Sequence, residues 1–243
     1  MKQIDLSGIS VALLMPHRDE ADIKVSTMLS LEGTTQALAE HGVDAQRFHH
    51  IGGVIENARS FSAKRFGQRR FNRAFWLDSD LVWKPHDFMK ILAYSTRYPI
   101  IGAAYRKKVD KEVYLVGLTE EVELDDWGCM RVPGVGLGFT CMHREVLEKL
   151  SSQAPLIEFP NQEPIPDIFR FDRLPAEGCR KFRGEDMSFC ADAYDIGYDT
   201  RVDPSIELGH IGWKTYTGRL LNVMQRVEGA LPQKAEADIL PAA

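Results

Sequence analysis

The stretch that most constrains this chain is Arg73-Ala74-Phe75-Trp76-Leu77-Asp78-Ser79-Asp80. Phe75, Trp76 and Leu77 favour a pleated, buried environment, and strands buried on both faces read as unbroken apolar runs. Asp78 and Asp80 break the run where the strand would leave the sheet. In open α/β sheets ligands bind at that carboxyl edge. Two carboxylates one residue apart repel each other unless a cation lies between them. A hard divalent ion with oxygen ligands fits, since magnesium sites typically combine one or two carboxylates with substrate phosphates. The competing reading is a solvated turn in which Asp78 caps the next segment.

The segments before and after this strand predict its surroundings. Ile9–Met15 reads as a first strand ending at Pro16, Asp22–Glu40 as a helix stopped by His41-Gly42, and Asp44–His49 as a second strand. Gly42 is available for a left-handed cap. Ile55–Phe66 reads as a second helix, Lys84-Pro85 opens a third that runs to about Tyr94, and Ile100–Tyr105 is another strand. This alternation argues for an α/β fold with a mostly parallel central sheet flanked by helices. Beyond Lys107, Val113–Val116, Val122–Leu124 and Met130–Val132 read as a small antiparallel meander. Gly134, Gly136 and Gly138 alternate before Phe139–Met142, which suits a close backbone approach or a tight bend. His143–Leu150 reads as a short helix. Pro155–Pro175, with five prolines, reads as a long irregular loop of the kind that serves as a lid. Lys214–Leu231 reads as an amphipathic helix followed by a frayed tail.

Length and composition set outer limits. At 243 residues, 44% hydrophobic, the chain suits one large domain. A net charge of −5 disfavours a broad nucleic-acid surface but leaves room for a local basic patch. Lys64, Arg65, Arg69, Arg70 and Arg73 form such a run, read either as a solvated face or as a surface for an anionic ligand. Cys129, Cys141, Cys179 and Cys190 show no metal spacing and read as reduced thiols. Neither a signal peptide nor a membrane span is legible, so a soluble, cytoplasmic protein is expected.

Several polar residues carry two readings each. Glu185 and Asp186, after Gly184, form an acidic first turn that stabilises its own helix, or they supply a general base. His210, between Gly209 and Gly212, is a hydrogen-bonded structural residue or a metal ligand. His49-His50 and Asp125-Asp126 are adjacent pairs whose members point to opposite strand faces. Trp127 and Trp213 suit core packing or stacking on a sugar or base. The chain has no GxxxxGK[ST] phosphate loop and no legible Ser/His/Asp order.

In combination, Phe75–Asp80, Gly136–Phe139, Gly184–Phe189 with Gly197-Tyr198, and Gly209-His210-Ile211-Gly212 occur in an order that resembles the GT-A glycosyltransferases. The resemblance is strongest to the family 2-like group of bacteria and phages, and it spans about Ile9 to Gly212. It implies a Rossmann-like GT-A domain over 1–212, with a donor part to about 107 and an acceptor part over 108–212, and a C-terminal helix and tail over 213–243. It implies an Mn2+ or Mg2+ ion held by Asp80, with Asp78 as a further ligand or nearer the ribose, and His210 completing the shell. The donor-binding set it implies is Pro16, Arg59, Asp78, Ser79, Asp80 and Gly136, with Pro16 at the nucleobase and Arg59 at phosphate. Asp186 is the implied catalytic base, with Glu185 as its neighbour. The implied reaction is metal-dependent, inverting transfer of a hexosyl or pentosyl group from a nucleotide sugar, a UDP-sugar first, in a bacterial or phage-infected cell. Acceptors left open are a glycan, a lipid-linked sugar, a protein or a modified DNA base. The alternatives are a sugar nucleotidyltransferase, although Met15-Pro16-His17-Arg18 lacks the expected glycines, and a non-catalytic nucleotide-sugar or glycan-binding module.

Overall fold

The computed structural model describes residues 2–19, 23–119, 122–228 and 239–241. Its centre is a seven-stranded sheet built from β1 (Ser10–His17), β2 (Asp44–Ile51), β3 (Arg73–Leu77), β4 (Ile100–Gly102), β5 (Met130–Val132), β6 (Phe139–His143) and β7 (Thr200–Val202). The spatial order is β2-β1-β3-β6-β4-β7-β5. β1 pairs in parallel with β2 and β3, and β4 with β7. β6 runs antiparallel between β3 and β4, and β5 is an antiparallel edge strand on β7. Five of the seven strands therefore point the same way, and their carboxyl ends share one edge.

Strand alternation sorts the core into two layers. Val11, Leu13, Met15, Phe75 and Leu77 face α1 (Val25–Glu40) and α3 (Pro85–Tyr94), where they meet Leu31, Leu38, Phe88 and Leu92. Ala12, Leu14, Ala74 and Trp76 face α2 (Ile55–Gly67), α4 (Arg144–Gln153) and α5 (Glu185–Asp195), packing on Phe66, Leu147 and Phe189. Burial on both faces is why β1 and β3 are apolar along their lengths. Pro85 opens α3 at its first turn, where its missing N–H costs nothing. Gly42, at φ +64°, and Gly197, at φ +96°, end α1 and α5 in the left-handed region that glycine favours.

Three expectations change. The Lys214–Leu231 span is a strand, Thr215–Arg219, followed by the shorter helix α6 (Leu220–Glu228). Thr215, Tyr216 and Thr217 are β-formers, and the helical apolar positions begin only at Leu220; Gly229–Leu231 lie outside the described residues. The Pro155–Pro175 span is not structureless. Leu156–Ile157 pairs with Ile165–Pro166, and its end forms the first arm of a hairpin, Asp172–Ala176 with Cys179–Arg183. Of the meander, Met130–Val132 forms as expected, whereas Val116–Gly117 pairs with Gly134–Val135, and Tyr114 and Leu124 make only isolated bridges. Asp22, the expected start of the first helix, and most of the tail lie outside the described residues, although Ile239–Pro241 pairs in parallel with Lys2–Ile4.

Candidate active site

At the carboxyl edge of β1, β2 and β3 the structure opens a cavity of about 500 Å³, reached by the N-terminal turns of α2 and α5. Pro16, Arg59, Asp78, Ser79, Asp80, Glu185, Asp186 and His210 all line it. Eight of the nine residues singled out from the sequence thus meet in one place. Gly136 does not line the cavity but lies just behind it. A Cβ there would come within 2.7 Å of the Tyr105 hydroxyl.

Asp78 leaves β3 with its backbone N–H donating to Gly138 O at 3.0 Å. Its two carboxylate oxygens are taken by different donors, Arg59 Nη2 on Oδ1 at 3.0 Å and the Tyr105 hydroxyl on Oδ2 at 3.1 Å. Gly138 is the residue that lets this happen, because a Cβ there would stand inside the Asp78 carboxylate. Gly136 and Gly138 are therefore explained by the close approach of Tyr105 and Asp78, and Gly134 by Met187 of α5, whose Sδ a Cβ there would meet at 2.6 Å.

Arg59 lies on α2, only 2% exposed, with its guanidinium 5.7 Å from the Trp76 ring centroid. The resemblance puts it at a phosphate; the structure turns it onto carboxylates. Besides Asp78 it approaches Asp186 Oδ1 at 3.5 Å and Glu185 Oε1 at 3.7 Å. Burial opposes its charge, but Asp186, Asp78 and Glu185 outweigh burial and hold the guanidinium protonated. Around one buried cation, then, three carboxylates from two distant parts of the chain are gathered.

Glu185 and Asp186 form the first turn of α5, where the helix dipole favours negative charge. Asp186 is nevertheless pushed well above the ordinary carboxylate range. Burial is the main cause, Arg59 partly offsets it, and Glu185 and Asp78 add repulsion. Glu56, in the first turn of α2, faces the same cavity. Burial raises its carboxyl too, and its buried Oε2 has no hydrogen-bond partner among the described residues.

Asp80 and His210 come together through strand pairing. Glu207–Ile211 runs antiparallel to the short strand Leu81–Val82, with His210 opposite Leu81, and Ile211 N–H donates to Asp80 O at 2.8 Å. His210 Nδ1 lies 2.7 Å from Arg106 O, and because a carbonyl only accepts, Nδ1 carries the hydrogen. The other ring nitrogen, Nε2, then faces Asp80 Oδ1 at 3.5 Å. Lys108 pairs with the second oxygen, Asp80 Oδ2. Burial opposes ionisation of Asp80, but His210 and Lys108 outweigh it and hold the carboxyl below its usual range.

A divalent cation fits this pair. Once Nε2 gives up the hydrogen it points at Asp80, its lone pair and the carboxylate oxygen 3.5 Å away, with the imidazole fixed from behind by a carbonyl, are the donors and the outer support such ions use. Among the described residues no group of three or more His, Cys, Asp or Glu forms a complete cage. The remaining positions would fall to ligand oxygens and water, as is usual for magnesium.

Of the other residues weighed from the sequence, Asp125 is structural, accepting from Tyr98, Arg201 and two backbone N–H groups. Trp127 packs on Tyr94 and Tyr98, whereas Trp213 is fully exposed. His49 Nδ1 lies 2.8 Å from Nε2 of the cavity residue His17, and their rings stack. Cys129, Cys141 and Cys190 are buried free thiols, and Cys179 is exposed. Glu56, Tyr105 and Lys108 escaped the sequence reading; the one available signal was the glycine series, which implied that something bulky presses against it.

The chain has the GT-A glycosyltransferase fold, a mostly parallel central sheet flanked by helices with small antiparallel sheets beside it. No protein-family model and no curated protein sequence matches it. Solved structures do. A197 from STIV aligns over 84% of this chain and 86% of its own, at 19% identity and a TM-score of 0.51. GalNAc-T7, solved with UDP, GalNAc and Mn2+, aligns over 84% of this chain at 11% identity and a TM-score of 0.50, and the chain spans 43% of that protein's length. A glycosyltransferase involved in glycosylation of the major capsid of PBCV-1 aligns over 58% of this chain at 12% identity and a TM-score of 0.34. Among the described residues, no helix is long and apolar enough to cross a membrane.

Proposed function

We propose that the chain is a metal-dependent glycosyltransferase, transferring a hexosyl or pentosyl group from a nucleoside-diphosphate sugar, a UDP-sugar first, to an acceptor hydroxyl with inversion. The observation that carries this reading is the convergence of Asp80 and His210, the Asp78–Arg59 pair and the Glu185-Asp186 turn on one cavity, from segments up to 151 positions apart in sequence, counting from Arg59 to His210. Cavity charge supports it as well. Asp78, Asp80, Glu56, Glu185 and Asp186 face it against the cations Arg18, Arg59 and Lys108, so a further cation would favour the entry of a diphosphate. The GalNAc-T7 neighbour, with its UDP and Mn2+, supports the same pairing of nucleotide and ion.

Asp80 and His210 would hold the cation, and Asp78, kept in place by Arg59 and Tyr105, is assigned to the ribose or to a water on the ion. The ion supplies Lewis-acid stabilisation of the departing diphosphate. Asp186 accepts the acceptor hydroxyl proton as the acceptor oxygen bonds to the anomeric carbon. The anomeric carbon–phosphate oxygen bond breaks in the same step and releases the nucleoside diphosphate. General-base help of this kind typically contributes about 10²–10⁴-fold. A panel of nucleotide sugars, screened with and without Mn2+ by thermal shift and then by turnover, tests the reading. A Mn2+-dependent hit that Asp80→Ala abolishes supports it, and the absence of binding and turnover across the panel overturns it. NMR of the product anomer tests inversion.

A further inference from the structure

The hairpin Asp172–Ala176/Cys179–Arg183 leads directly into Gly184 and the Glu185-Asp186 turn, so its base is tied to the site. Arg183 Nε donates to Asp172 Oδ2 at 3.1 Å, and Arg170 Nε to Asp172 Oδ1 at 3.0 Å. Beyond this clamp the surface changes character. Arg173 stands opposite Phe182, and Pro175 opposite Arg180. Opposed residues share a face, as do residues two apart. One face of the hairpin therefore presents Arg173, Arg180, Pro175 and Phe182. Phe182 is 69% exposed, and its ring lies 5.2 Å from that of Phe171, which itself lines the cavity. Lys181 is exposed on the opposite face. None of the Arg173, Arg180 and Lys181 side chains has an ion pair or hydrogen bond among the described residues. The hairpin holds four cations and two carboxylates in a chain whose net charge is −5.

We propose that this hairpin is the acceptor-binding arm and that the acceptor is a nucleic-acid strand with unpaired bases, laid over Phe182 and Phe171 so that a nucleotide hydroxyl reaches Asp186. The inference rests on the glycosyltransferase reading for the step that follows binding. Binding itself follows from the surface. Exposed aromatic rings flanked by unpaired cations are the pairing that holds single strands, bases stacking on the rings and phosphates on the cations. A carbohydrate acceptor needs placed polar groups that hydrogen-bond its hydroxyls. The Arg173–Phe182 face has no carboxylate, amide or hydroxyl side chain. A flat ligand carrying negative charge matches two cations and two rings better than a neutral polyhydroxylated one, and the heparin arm of the test separates them.

The test is fluorescence anisotropy of the full chain with a labelled single-stranded oligonucleotide, its duplex, and heparin as an anionic glycan. Two phosphate contacts, at Arg173 and Arg180, give a log–log salt slope of about −1.4, so affinity for the single strand should fall about 7-fold between 50 and 200 mM salt. Phe182→Ala should weaken binding at least about five-fold through lost stacking and leave that slope unchanged. Arg173→Gln with Arg180→Gln should flatten the slope to near zero. Heparin binding as tight as the oligonucleotide, an unaffected Phe182→Ala, or binding without salt dependence would each overturn the proposal. Thermal melting of the variants shows whether they fold, and exposed hairpin residues should melt with the parent protein. Nucleotide-sugar binding, measured separately, reports on the donor reading. If it fails while the oligonucleotide still binds as described, the enzyme assignment falls and the arm stands; the reverse result removes the arm alone.

Discussion

Replacing Asp186 by asparagine should make the protein more stable at alkaline pH, and the size of the gain follows from the site. The Asp186 carboxyl, ordinarily ionising at 3.8, is held at about 7 in the folded protein. Each pH unit of such a difference is worth about 1.36 kcal/mol, so ionised Asp186 costs the fold about 4 kcal/mol. The sign follows from which state ionises first. Between pH 3.8 and 7 the unfolded chain has released this proton and the folded chain has not, so stability falls as pH rises through that window and levels off above it. Asparagine removes the fall but also loses the Asp186–Arg59 pair at 3.5 Å. A net gain of about 1–3 kcal/mol at pH 8 remains, after a discount for that pair of the size of a hydrogen bond to a charged group, and it vanishes or reverses near pH 4. Urea unfolding of both proteins at pH 4, 6 and 8 measures it. A stability difference that does not change with pH, or a variant less stable than the parent at pH 8, would refute the argument that burial outweighs Arg59 at this carboxyl. The same asparagine should slow transfer about 10²–10⁴-fold, the trade between stability and activity expected where a site holds a group against its solvent preference.

Arg59→Met, which leaves three carboxylates around an apolar side chain, should destabilise the fold by about 3–5 kcal/mol, with Arg59→Lys recovering part; denaturant midpoints compare them. Gly138→Ala, whose new methyl displaces Asp78 from Tyr105, should cost about 1–3 kcal/mol of stability and weaken nucleotide binding, read by melting and calorimetry together. Lys108→Met should bind Mn2+ more tightly than the parent in the absence of nucleotide, because Lys108 competes for Asp80, and electron paramagnetic resonance of free Mn2+ would show it. With Asp186 as base, kcat/KM should rise with pH and level off above about 7; a flat profile from pH 5.5 to 8.5 would count against that role.

How far the sequence alone reaches depends on which kind of contact is asked for. The acidic turn at Asp78–Asp80 was legible because the apolar run Phe75–Leu77 needs a double-buried strand, and a strand that ends in carboxylates must end at an edge. The acidic start of α5 was legible from Gly184 and the apolar spacing behind it. The Thr215–Arg219 strand was not, because the apolar positions that suggested one long helix, Leu220, Leu221, Met224 and Val227, all lie in its second half. The 172–183 hairpin was obscured by prolines read as loop formers, yet Pro175 sits on a two-stranded ribbon, where a missing N–H is tolerated. Arg59, Tyr105 and Lys108 illustrate a deeper limit. Arg59 enters only through the resemblance, as a phosphate ligand, and the other two look ordinary locally: a tyrosine closing an apolar strand, one lysine of several after it. Their roles are fixed by what lies opposite them across the cavity, Asp186 for Arg59 and Asp80 for Lys108, and those partners come from other segments. Periodicity reports how a segment meets the core. The long-range pairs that hold a buried arginine among three acids leave no period, only an arginine whose location is unremarkable until the fold brings the carboxylates to it.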